Sequence, residues 1–448
     1  MEYIYSFFSI LILLWKIVVP FWWIWGPAFV LYVLINNWLP YIRRKHWQSI
    51  NWIILEIKLP PETTRSPKAV EETLQGIWGI VGSVRQSQYW DTFKRWKTLK
   101  EKYLYGSTQD YFSLEVVSLE GEIHFLIRLP QKYQKLVESQ IYSQFHQTEL
   151  VEIEDYIKLV PSTPLEKGWD IWGKKFILSK NDVYPIRTYP DFLDIVDSSK
   201  IEGMMDPVAN LIESLSRLRS NEYIWLQIIA RPIDNDWQAE GIKLINKLIG
   251  RVEKKEIGLI ETEIRDWIEA IESTIYLLIH NEPKPPLISE DKRKPGESLI
   301  SNLSPGEVNT VKAIENKISK KGFETKINLI YLAPRKIFDA NVARSVQSFI
   351  YRFGSSMNGF HSDPEVKIMP AGFKNKSEIL KRKRRLLKMC LQRSFWEQNQ
   401  NEWNKASILN TEEIASIFHF PSVSVETSVI SQQLKYKKSP PPAGLPTE

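Results

Sequence analysis

The 448-residue chain contains one cysteine, Cys390. One thiol closes no internal disulfide and supplies no Cys-rich metal site, which agrees with a reducing compartment. Histidine is also scarce. The six (His46, His124, His146, His280, His361 and His419) are scattered, with no His-x-x-x-His and no His-Glu pair to set up a helical zinc site. No Gly-x-Ser-x-Gly occurs, and Cys390 lies between Met389 and Leu391 with no evident base. A strong charge of one sign is missing too: the formal net charge of +6 permits anionic partners without pointing to one. None of these residues outlines an active site, and no cofactor or metal is expected.

What is present is a globular balance of 43% hydrophobic and 25% charged residues, with length for two or three domains. The 17 Trp crowd towards the N-terminus. From Ile17 to Trp38 no residue is charged, and eleven are Ile, Leu, Val or Phe, Phe29 and Leu34 among them. As helix, that run is long enough for a hydrocarbon core of about 30 Å. Trp22, Trp23 and Trp25 would sit near one interface and Trp38 near the other. Arg43, Arg44 and Lys45 follow, so the positive-inside rule places the bulk of the chain in the cytoplasm, on the inner face of the cell membrane. The pattern predicts a transmembrane anchor with its basic flank over 1–45. A second apolar run, Tyr3 to Trp15, reaches only about 20 Å as helix. It leaves two arrangements open, a short first span in a hairpin or an interfacial helix leading into one span. A signal peptide is not indicated, since neither a basic n-region nor a small-residue cleavage site is present.

Beyond the anchor the expected class is α+β. Residues 52–60 read as a strand and 67–82 as a helix, with Ser66 as N-cap and Pro67 at the first helical position. Strands at 111–119 and 122–130 meet at Glu120-Gly121, a hairpin signal. A helix over 132–145 and a strand over 148–156 complete β-α-β-β-α-β, the ferredoxin-like split unit, in a domain over 50–160. A second α+β domain is expected over 165–370. It has strands at 174–180, 222–232 and 323–333, helices at 206–219, 305–321 and 336–352, an inserted helical hairpin over 237–280 and a linker over 281–304. Residues 371–425 hold a basic helix (374–393) and a short capped helix (411–421). Residues 426–448 form a Pro-rich tail with no core-forming residues.

Residues 168–176, GWDIWGKKF, place Gly168 and Gly173-Lys174 at the spacing of a phosphate loop. Such a loop needs Ser or Thr after the lysine to hold Mg²⁺, and a helix whose N-terminus faces the anion. Lys175 stands in that position, Trp169, Asp170, Ile171 and Trp172 fill the interval, and a strand-like run follows. The expectation is a turn entering a strand. His419, ending the 411–421 helix, is expected to meet the helix dipole in a structural role. Glu152, Glu154 and Asp155 are read as surface charge on a strand.

The run Lys381, Arg382, Lys383, Arg384, Arg385 is the strongest electrostatic feature after the anchor and a candidate surface for an anionic partner. On a helix its charges spread round most of the circumference, leaving Ile379, Leu380, Leu386 and Leu387 to contact the body. A solvated face, lipid headgroups, an acidic protein or nucleic acid would each fit. Aromatics for base stacking are not interleaved.

Residues 55–79, 125–145 with 149–156, 206–237, and 409–421 before PPPAGLP (440–446) together resemble the N-terminal, non-motor region of bacterial membrane-anchored conjugation ATPases of the type IV secretion kind. The likeness runs over essentially the whole chain after the anchor. In those relatives a Pro-rich linker leads into the motor domain, and no nucleotide-binding residue carries over to this sequence. The resemblance implies an accessory or scaffold subunit of a DNA-transfer apparatus, with membrane lipid, a separate motor ATPase and further copies of itself as partners. A degenerate nucleotide-binding protein and a direct DNA-binding membrane protein are the alternatives.

Overall fold

The computed structural model describes residues 22–58, 66–82, 100, 104, 109–161, 163–193, 206–249, 303–364, 376–395 and 406–421. The Tyr3–Trp15 run, the second helix of the 237–280 hairpin, the 281–304 linker up to residue 302 and the 426–448 tail lie outside them. The chain divides into two compact units, one of residues 1–235 with 320–448 and one of residues 236–319.

In the larger unit, α1 (Trp22–Gln48) precedes β1 (Trp52–Lys58), α2 (Pro67–Gly82), β2 (Phe112–Leu119), β3 (Glu122–Pro130), α3 (Gln134–Gln144) and β4 (Glu149–Glu152). Then come β5 (Trp169–Leu178), α4 (Tyr189–Leu193), α5 (Pro207–Ser216) and β6 (Tyr223–Pro232). The smaller unit contributes α6 (Asp236–Ile249) and α7 (Pro305–Ser319). The larger resumes with β7 (Gly322–Pro334), α8 (Ala340–Tyr351), β8 (Phe360–Ser362), α9 (Lys376–Gln392), β9 (Ser407–Asn410) and α10 (Thr411–Ile417). In the smaller unit α6 turns Trp237, Gly241, Ile245 and Ile249 inwards, a helical spacing, and the Gln238 amide donates to the Ile318 carbonyl of α7.

The nine strands of the described residues form one antiparallel sheet in the order β4-β1-β3-β2-β6-β7-β5-β8, with β9 also paired to β7. This corrects the expectation of a ferredoxin-like unit followed by a second α+β unit. The elements expected over 52–155 are present, but β2 is no edge. It pairs along its whole length with β6, from Phe112↔Ala230 to Leu119↔Tyr223, so the sheet runs on without a break. The physical reason is in the strands. Residues 112–118 and 223–230 are buried throughout, and a strand buried on both faces needs a neighbour on each side for its backbone groups.

One face of the sheet is largely apolar. Leu55, Leu114, Ile127, Leu226, Ile228, Leu329 and Tyr331 meet Leu74 and Ile77 of α2, Val137 and Ile141 of α3, Leu211 and Leu215 of α5, and Val346 and Phe349 of α8. Ile414 and Ile417 of α10 complete this layer. The helix α10 is fixed by a capping box: the Asn410 carboxamide accepts from the Glu413 N–H at 2.8 Å, and the Glu413 carboxylate accepts from the Asn410 N–H at 3.0 Å. The other face carries α9 and a row of polar residues.

The transmembrane anchor is also corrected. Among the described residues no helix is long and apolar enough to cross a membrane. Residues 17–21 of the expected span, Ile17 among them, lie outside the described residues. The helix that holds the rest of the expected span, α1, has its aliphatic run diluted by Trp22, Trp23, Trp25, Gly26, Pro27, Asn36 and Asn37. Trp23, Phe29, Leu34 and Trp38 are exposed. At its other end Ile42 is buried and the Trp47 indole donates to the Tyr111 hydroxyl, so Arg43, Arg44 and Lys45 flank the point where the helix joins the body.

Candidate functional site: the basic helix and the strand beneath it

The glycine-lysine motif is β-strand. From Trp169↔Pro334 to Phe176↔Ile327, β5 runs in antiparallel register with β7. Gly168, at φ +82°, forms the turn into the strand. Gly173 has no room for a side chain: a Cβ there would collide with the Leu329 carbonyl oxygen and come within 2.8 Å of Leu386 Cδ2. It is where α9 rests on the sheet. Asp170 accepts from the Ile171 N–H at 2.8 Å and pairs with Lys383 of α9. Lys175 is buried 3.4 Å from the Asp363 carboxylate. Lys174 points to the opposite face, its Nζ 5.6 Å from the Trp172 ring centre and 5.8 Å from that of Tyr351.

The basic helix presents its apolar side to the sheet. Leu386, Leu387, Met389 and Cys390 are buried with Ile171, Trp225, Ile330 and Leu332. Its cations divide into two groups. Arg382 donates to the Glu378 carboxylate at 3.0 Å and to the Pro364 carbonyl at 3.1 Å, and Lys383 reaches Asp170. Arg384 meets Glu166 at 3.2 Å with both side chains exposed, a contact worth little in water. Arg385 is half-buried, while Lys381 and Lys388 are exposed. The run therefore does not act as one surface: Arg382 and Lys383 hold the helix in place, and Lys381, Arg384 and Lys388 face solvent. Burial pushes the Cys390 thiol far above its usual range, and the nearby Glu115 carboxylate adds to this, so it is an inert core sulfur.

Under the C-terminal end of α9 lies the feature that sequence reading missed. Glu115, Gln227, Asn328 and Lys175 stand in register across β2, β6, β7 and β5, all buried and all on the face that α9 covers. Arg393, just past the helix at φ +45°, is inserted among them. Its Nη1 meets Glu115 at 3.2 Å and its Nη2 pairs with Asp155. Glu115 further accepts from the Ser113 hydroxyl at 2.5 Å and the Tyr156 hydroxyl at 2.6 Å. The Gln227 amide donates to Tyr156 at 2.7 Å and to the Cys390 carbonyl at 3.1 Å. The four residues come from four strands far apart in the chain, so only the pairing register reveals the row. Asp155, read as surface charge, is thus drawn into an ion pair, whereas Glu152 and Glu154 are exposed. His419 is buried, its Nδ1 3.0 Å from the Ala415 carbonyl and its Nε2 3.0 Å from the Asp206 carboxylate that caps α5. It ties two helix ends together.

Lys326, two residues before Asn328 and so on the same face, donates to the Phe395 carbonyl at 3.3 Å. Burial lowers its amine to about 7, helped by the Lys175 cation, with Glu324 opposing. The sign follows from proton counts: between pH 7 and the ordinary lysine range near 10.5, the unfolded chain binds the proton and the folded one does not. This group therefore makes stability rise with pH across that window. Lys326→Met is expected to stabilise the fold at neutral pH by roughly 1–2 kcal/mol, read as a higher urea midpoint, and to flatten the rise between pH 7 and 10. An unchanged slope would show that the amine is solvated.

Among the described residues no group of His, Cys, Asp and Glu is arranged to hold a metal ion. Residues 97–433, three quarters of the chain, match a protein family described as a domain of unknown function (DUF8128). No curated protein matches the chain.

Proposed function

The chain belongs to the DUF8128 family, whose description assigns no activity, and from its geometry and its likeness to conjugation ATPases we propose that it is a holding subunit. In this reading it is an accessory, non-motor component of a conjugation-like DNA-transfer or type IV secretion apparatus, without an enzymatic reaction of its own. It works at the cytoplasmic side of the cell membrane, touching lipid through the exposed aromatic and aliphatic side chains of α1 rather than crossing the bilayer. A separate motor ATPase is its principal partner.

The observation that carries this reading is the fate of the glycine-lysine motif. Gly173 seats α9, Asp170 pairs with that helix and Lys175 is buried on Asp363 just past β8, so these residues of the motif hold the fold together instead of cradling a phosphate. A holding role also suits a sheet covered on both faces, with exposed apolar area gathered on α1. Affinity capture with the full chain tests the proposal directly. Recovery of a phosphate-loop ATPase is the expected result, and no ATPase of that class would argue strongly against it. The rival, a cryptic nucleotide site, requires ATP binding by the purified chain that Lys174→Ala abolishes.

A further inference from the structure

Acidic side chains are missing from two stretches that the fold brings together. Residues 340–362 contain no Asp or Glu in 23 positions, and residues 171–181 contain none in 11, in a chain with 53 acidic residues. The first stretch is α8 and its approach to β8; the second is most of β5 and the turn after it. They meet where Tyr351, at the end of α8, packs edge-on against Phe176 with ring centres 5.9 Å apart.

This rim is basic and aromatic. Lys174 lies between the Trp172 and Tyr351 rings, and Tyr351 is 40% exposed. Arg344, Ser348 and Tyr351 recur at i, i+4 and i+7, one stripe along the solvent side of α8. Arg352 is exposed beside the Asn210 carboxamide, and Lys180 is exposed with its Nζ 2.9 Å from the Ser356 carbonyl. Asp182, half-buried, ends the second stretch beside Lys180, and Asp170 at its other end pairs with Lys383; other nearby carboxylates are engaged away from the rim. Asp363 turns inwards to Lys175, Asp339 caps the far end of α8, and on the adjacent α5 Glu213 pairs with Arg217.

We propose that this rim binds single-stranded nucleic acid, with Lys174, Lys180, Arg344 and Arg352 on the phosphates and a base stacked on Tyr351. Charge complementarity selects a polyanion. Tyr351 selects an unpaired strand, because an aromatic side chain can stack only on a base that is not already stacked in a duplex. A lipid surface fits poorly. Tyr351 is the sole large apolar side chain exposed on this rim among the described residues, leaving nothing aliphatic to insert. From Trp172 to Lys180 the strand and turn extend roughly 26 Å, a track for about four nucleotides, the lower end of a single-strand site. The inference stands on these residues alone and does not require the motor partner proposed above, so failure of the capture experiment would leave it intact.

Fluorescence anisotropy of a labelled oligothymidylate of about 20 nucleotides, titrated with the full chain at several salt concentrations, tests the rim. Binding is expected to weaken steeply with salt. The triple variant Lys174→Gln, Arg344→Gln, Arg352→Gln should bind at least about tenfold more weakly, with a log–log salt slope shallower by roughly 2, at about 0.7 per lost phosphate contact. Tyr351→Ala should lose about fivefold to hundredfold and Tyr351→Phe almost nothing. Lys381→Gln with Lys388→Gln, on α9, should bind as the parent does. Urea midpoints close to the parent's confirm that the variants are folded. Four results would overturn the proposal: no binding at low salt, a triple variant that binds normally, loss caused by the α9 pair instead, or equal affinity for a duplex of the same length. Capture of anionic vesicles without oligonucleotide binding would do so too.

Discussion

Gly173→Ala is expected to loosen the helix α9 from the sheet, although it adds only one methyl group. That methyl meets one side-chain atom and two backbone atoms of β7, the Leu329 carbonyl oxygen and, at 3.0 Å, the Ile330 Cα, and they differ in kind. Leu386 Cδ2, 2.8 Å from the new Cβ, is the end of a side chain and can rotate. The Leu329 carbonyl oxygen belongs to β7, which is held by β6 on one side and β5 on the other, so it has no room to retreat. Overpacking of this sort costs roughly 1–3 kcal/mol, and valine should cost more. The single cysteine provides a local readout. Cys390 is fully buried beneath α9, so its labelling rate with a thiol reagent reports how often the helix lifts. Gly173→Ala should accelerate labelling and lower the urea midpoint together. Gly168→Ala is the contrast. No atom lies within 4 Å of its added Cβ, but its φ of +82° disfavours any L side chain, so about 1–2 kcal/mol should be lost without faster labelling. Adding Leu386→Ala to Gly173→Ala separates the two kinds of neighbour. Full recovery would mean that the side chain, not the β7 carbonyl, is the obstacle.

That contrast shows how far the sequence could be read. Strands and helices with strong local patterns are where periodicity puts them: residues 223–232 form β6, the expected 374–393 helix is α9 over 376–392, and Glu120-Gly121 makes the β2–β3 hairpin with both residues at positive φ. The strand expected over 148–156 stops at Glu152, because the Asp155 carboxylate accepts from the Ile157 N–H and starts a short 3-10 helix. Local pattern could not show how many sheets those strands make. Whether β2 is an edge depends on what lies beside it, and its partner β6 is about a hundred residues away. The same holds for the basic run: the pattern spreads its five cations round a helix, but Asp170 and Pro364, which hold Lys383 and Arg382, become neighbours only when α9 is laid across β5. The acid-free stretches 340–362 and 171–181 were legible as composition; the fold makes them one rim.

Arg393→Met should destabilise the protein more than removal of any exposed cation of α9, because of what it leaves behind. Glu115 is fully buried, and its countercharge is Arg393, itself buried and held at φ +45° by its place at the end of the helix. With the guanidinium gone, the carboxylate retains the Ser113 and Tyr156 hydroxyls but loses its direct cationic partner, and Asp155 loses its own. Breaking a buried pair in this way costs roughly 3–5 kcal/mol, most of it the penalty of a stranded charge. Arg393→Lys keeps the charge without the two-pronged donor that spans Glu115 and Asp155, so an intermediate loss is expected. The decisive variant is the double one, Glu115→Gln with Arg393→Met. If the cost of the single change lies in the stranded carboxylate, neutralising it should recover most of the urea midpoint and restore slow Cys390 labelling. If the double variant is as unstable as Arg393→Met alone, the arginine acts through its packing and its backbone position, and the polar row is not what locks α9 to the sheet.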